Sequence, residues 1–144
     1  MNFENQIRCL GKDDVKTTFS YSIEESEING FKKWIFRIVP QNLEFTDWFE
    51  FSVVELGNGV GKVITMNTNF KKEYSAKGIP DKMIEEASNK LELNIISSTN
   101  KKAHKFLDNE WRTEAASKVW NRLVTRGIAI YDEEKDLYTY RNED

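Results

Sequence analysis

The chain has 144 residues with one His, one Cys, two Pro and a formal net charge of −3. That length suits a single domain over residues 1–144, long enough to bury roughly two-thirds of its unfolded surface. A lone Cys excludes an internal disulfide, a lone His excludes a histidine-cluster metal centre, and no apolar run approaches the ~18 residues of a membrane span. No signal-peptide core follows the start, so a cytoplasmic protein with no metal and no membrane partner is expected.

Residues 1–16 have mixed charge and weak periodicity, and read as a short helix or as an arm. From residue 17 apolar and polar residues alternate with period two, the pattern of half-buried strands. Phe19, Tyr21 and Ile23 form one run, Trp34, Phe36 and Ile38 the next, with Asn29-Gly30 between them. Phe49, Phe51 and Val53 precede Asn58-Gly59, and Val63 to Met66 follow. Asn-Gly is the strongest short hairpin signal, because both residues tolerate the positive φ of a type I′ turn. Four antiparallel strands result, with Pro40 closing the second and a looser stretch at 40–47. The run Gly57-Asn58-Gly59-Val60-Gly61-Lys62 is a turn and not a phosphate loop, since Val63 stands where Ser or Thr is required.

After residue 70 the period changes. Met83, Ile84, Ala87 and Leu91 recur at helical spacing behind Pro80, which is tolerated at a first helical position. Leu93 to Ser98 reads as a strand buried on both faces. Thr113 caps a second helix whose stripe is Ala116, Val119, Trp120, Leu123 and Val124, with Gly127 as its C-terminal stop. Ile128–Tyr131 and Leu137–Tyr140 make a closing hairpin around the acidic tip Asp132 to Asp136. The expected class is therefore α+β: an antiparallel meander followed by β-α-β-α-β-β, a mixed central sheet flanked by helices.

Charge is uneven. Residues 71–126 carry twelve Lys or Arg against eight Asp or Glu, so the middle is locally basic around Lys71, Lys72, Lys77, Lys101, Lys102 and Lys105. Lys77-Gly78-Ile79-Pro80-Asp81 lies before a predicted helix, where free N–H groups favour anions. A pI near 5.4 and the lack of a recognition helix argue against nucleic acid as the partner. His104 and Cys9 have no partner in sequence and read as an exposed and a packed residue. Trp111, beside Arg112, is left without an evident packing role.

From about residue 60 to 140 the order of elements resembles the GNAT family of acetyl-CoA-dependent N-acetyltransferases. In that family a strand leads to an Arg/Gln-x-x-Gly-x-Gly/Ala loop, then to a helix, a parallel strand, a second helix and a hairpin. Here the strand is 62–70, the loop Ser75–Pro80, the helix Pro80–Leu91 and the parallel strand 93–99, with Ala116 to Ala129 as the helix–Gly–strand close. The resemblance implies acetyl-CoA as cofactor. Its phosphates would lie on Lys72, Lys77, Gly78 and Ile79, and its pantetheine arm along the backbone of Met66, Thr68 and Ser98. It implies direct transfer to an amine on an unidentified small molecule or protein, with Glu50 or Glu55 as candidate bases. The family's acidic Tyr in the second helix corresponds to a place near Trp120. Ser75 and Pro80 depart from the loop pattern, and Pro80 removes one backbone donor. The expected function is an N-acetyltransferase; the alternative is a catalytically inactive GNAT-like binding or interaction protein. No catalytic residue or oligomeric state is assigned.

Overall fold

Two Asn-Gly turns organise the first half of the chain. The computed structural model describes residues 2–41, 47–67 and 74–142. Strands β2 (Lys16–Ile28) and β3 (Phe31–Pro40) meet at Asn29 and Gly30, whose φ values are 51° and 81°. Strands β4 (Phe49–Gly57) and β5 (Val60–Asn67) meet at Asn58 and Gly59, at 54° and 73°. Both turns have the positive φ values that the Asn-Gly pairs predict. The four strands form the expected antiparallel meander. Within 40–47, residues 42–46 lie outside the described residues.

The N-terminal segment is neither a helix nor an arm. Residues Asn5–Leu10 form a first strand, β1, paired antiparallel to β2 from Asn5↔Tyr21 to Leu10↔Lys16. Its inward side chains are only Ile7 and Cys9, both buried. Leu10, the third apolar residue of the six, falls on the exposed face, so the alternation does not register.

The second half supplies two α-helices among the described residues. Helix α1 (Ile79–Leu91) has Pro in its first turn and buries Ile79, Met83, Ile84 and Ala87. It crosses to β6 (Asn94–Ile96), which pairs parallel to β5. The regular part of β6 is shorter than the expected 93–99. Beyond Ile96 the Ser97 and Ser98 hydroxyls bond to main-chain carbonyls and the Thr99 amide turns to Glu110. Helix α2 (Glu114–Thr125) starts at Thr113, whose Oγ1 accepts from the Ala116 amide at 3.0 Å. It ends as predicted at Gly127, φ 77°, with the Ile128 amide bonded back to Leu123 O. Strands β7 (Ile130–Asp132) and β8 (Leu137–Tyr140) close the chain as a hairpin.

The result is one mixed sheet of eight strands in the order β1-β2-β3-β4-β5-β6-β8-β7. One face carries the core: Phe19, Tyr21, Phe36, Phe51, Met83, Ile84, Ile95 and Trp120 among others. Rings meet at 5.8 Å for Tyr21–Phe36 and 6.1 Å for Phe36–Phe51. The opposite face buries Ser20, Ser22, Ser52 and Lys62 beside Val39 and Val54. There the Lys62 ammonium donates to Glu110 at 2.7 Å and to the His104 carbonyl at 2.8 Å, fastening the 97–113 segment to the sheet. No helix among the described residues is long and apolar enough to cross a membrane.

Candidate functional site

Strands β5 and β6 stay paired only from Val60↔Asn94 to Lys62↔Ile96. Beyond that point they separate, and Val63 to Met66 face Ser98, Trp111, Ala116 and Trp120 across a narrow cleft. Two expected site residues, Met66 and Ser98, are therefore brought together. The cleft holds only about 100 Å³. Ser98 Oγ reaches across it and donates to Val63 O at 2.7 Å. Trp120 is 1% exposed and stacks on Tyr138 with centroids 5.8 Å apart.

A buried charge network holds this arrangement. The Arg112 guanidinium donates to Asp136 Oδ1 at 2.6 Å, to Asp136 O at 2.9 Å, to Ser98 O at 3.1 Å and to Ser117 Oγ at 2.9 Å. Its charge also lies 5.0 Å from the Tyr138 ring. Burial pushes the Asp136 carboxyl up. Hydrogen bonds from Arg112, the Asn100 amide and Tyr131, with the Arg112 charge, overcome that and hold it at about 2. The Tyr131 phenol, donating to Asp136, is pushed up by that bond, then by burial. Tyr138 donates to Asn121 Oδ1 at 2.6 Å. Both phenols are thus committed to structural partners, and neither lines the cleft.

The expected phosphate loop lies elsewhere. Gly78 has φ 77° and caps α1, and a Cβ there would run into the Leu10 carbonyl. The Lys12 amide donates to Ala76 O at 3.0 Å, so this loop docks on the end of β1. Ile79 is buried in the core, and Lys77 lines neither space. Thr68 and Lys72 lie outside the described residues. Beside Ala76 and Gly78 is a cavity of about 470 Å³, lined by Arg8, Lys12, Lys82, Arg122 and Arg126, with Asp81 and Glu85. Arg122 binds Asp81 in a two-pronged pair at 2.9 and 2.8 Å, which holds the guanidinium in its charged form. This cavity shares no lining residue with the cleft.

The candidate bases are also apart from both spaces. Glu55 accepts from the Trp34 indole at 3.2 Å, and Glu50 sits opposite Arg37 on β3. Sequence reasoning missed Arg8 and Lys12, because their approach to α1 depends on the long-range packing of β1 and not on local pattern. It also missed Lys62, Glu110 and Asp136. Lys62 was detectable only as a cation at a strand position between Gly61 and Val63. Comparison of the chain with family models, curated proteins and solved structures finds no match.

Proposed function

We propose that the chain is a divergent domain of the GNAT type that works by binding and not by acetyl transfer. The kinship is supported by strand order: a meander, a helical crossover to a parallel strand that then diverges, a second helix and a hairpin inserted as β6-β8-β7. The reading against catalysis is carried by the cleft. At about 100 Å³ it falls below the ~300–1,000 Å³ of small-molecule sites. The Ser98 hydroxyl bridges the cleft to Val63 O, which narrows it further. Pro80 removes one backbone donor from the loop that would hold the phosphates.

The test is a titration with acetyl-CoA. A specific ligand at 100 times its Kd adds about 2.7 kcal/mol of stability. We expect no coenzyme thiol to be released above background with a panel of amines, whether or not acetyl-CoA raises the melting temperature. A melting shift accompanied by amine-dependent thiol release sinks the proposal. It would establish the second reading, acetyl transfer from bound acetyl-CoA, which the divergence of β5 from β6 favours.

A further inference from the structure

Five cationic side chains from separate elements converge on the larger cavity. Arg8 comes from β1, Lys12 from the turn after it, Lys82 from α1, Arg122 from α2 and Arg126 from that helix's C-cap. Two carboxylates line it as well, and both are engaged: Asp81 by Arg122, and Glu85 by Lys82 at 3.6 Å. Among the described residues no carboxylate lies within ion-pair distance of Arg8, Lys12 or Arg126. Three like charges held around one concave space repel each other and raise the local potential, which a multiply charged anion relieves. The floor is close-packed backbone, where a Cβ at Gly11 would come within 2.9 Å of Ala76 O, so the cations stand on a fixed surface.

Size narrows the ligand. About 470 Å³ is far more than one inorganic anion needs and lies within the range of small-molecule sites. A shallower depression lined by Lys118, Arg122 and Arg126 continues it along α2. Guanidinium groups match phosphate oxygens in a planar, two-pronged way. We propose that this cavity binds a small molecule through a pyrophosphate or equally charged phosphate group. The helix terminus is not the recognition element, since Asp81 already occupies it; the Arg and Lys side chains are. The inference goes beyond the proposed binding role and is independent of whether the cleft is closed.

The test uses the full chain and inorganic pyrophosphate as the probe, with ADP, coenzyme A and a single-stranded oligonucleotide as further arms. Pyrophosphate and ADP are expected to bind and to weaken as salt is raised. Arg126→Glu is expected to weaken both by roughly tenfold or more, the cost of one charge-assisted contact. Lys12→Gln in the exposed turn gives the same direction without touching a helix, and Lys102→Glu, outside the cavity, leaves binding unchanged. The inference is overturned if pyrophosphate and ADP do not bind, if neither cavity variant changes their affinity, or if only the oligonucleotide binds. Coenzyme A binding without pyrophosphate or ADP binding overturns it too. Pyrophosphate binding together with acetyl transfer leaves it standing while the non-catalytic reading falls.

Discussion

Asp136 gathers the Arg112 guanidinium, the Asn100 amide and the Tyr131 hydroxyl on one carboxylate. Its folded value of about 2 lies below the ordinary 3.8. The folded carboxyl holds its proton less tightly than the unfolded one, so low pH favours unfolding. The stabilisation is present in full above the ordinary value and is lost as the pH falls through about 2. A shift of this size corresponds to on the order of 2 kcal/mol. Asp136→Asn, which tolerates the left-handed φ of 53° there, should be less stable at pH 7 and should lose less on acidification. Urea unfolding of both proteins from pH 6 to pH 2 checks this; parallel stability curves would refute it. None of these partnerships was legible in the sequence. Arg112, Asn100 and Asp136 are separated by 12 to 36 positions, and only the folded loop and hairpin bring them together. Thr113, by contrast, was legible, because its cap is made within three residues.

Among the elements, legibility follows the same distinction. The two Asn-Gly hairpins, both helix starts and the Gly127 stop depend on local backbone preferences and appear where the sequence placed them, whereas the first strand of the closing hairpin runs Ile130–Asp132 and not the expected Ile128–Tyr131. β1 depends on β2 and α1 for its existence and was not seen. Gly78 shows that a glycine before a helix can also serve packing that the sequence alone does not reveal. The sequence shows a Gly before a helix, and a missing Cβ serves a ligand or a neighbouring strand equally well. Here the neighbour is the Leu10 carbonyl. Gly30 has nearly the same φ, 81° against 77°, but nothing lies within 4 Å of its would-be Cβ. Gly30→Ala should therefore cost only the ~1–2 kcal/mol of left-handed strain. Gly78→Ala should cost clearly more, because the clash with backbone adds to the same strain. Equal losses of stability in urea would show that the loop does not pack on β1.

For the molecule as a whole, the question is whether β1 is an appendage or part of the cooperative unit. It is an edge strand, and edge strands often open first. Here its far end meets the loop before α1 twice over, through the close approach of Gly78 to Leu10 and the Lys12 amide on Ala76 O. Its near end is bound through the Lys90 ammonium on Asn5 Oδ1 at 3.0 Å. Helix α1 is in turn tied to β2 by the Tyr21 hydroxyl on Glu86 and to α2 by Asp81 and Arg122. Cys9, 1% exposed near the C-terminal end of β1, reports on this linkage. Burial pushes its thiol up, against a smaller opposing pull from Lys82, to about 12, so the folded protein offers a reagent almost no thiolate near pH 8. Labelling by a disulfide reagent must then wait for an opening event. If β1 and α1 open only with the sheet, the free energy of labelling equals that of global unfolding and falls with urea at the same slope. Rapid labelling at low urea with a shallow slope would mean that β1 frays alone. Arg8 and Lys12, which flank Cys9, would then lose their fixed place in the cationic cavity, so this measurement also bears on how preorganised that cavity is.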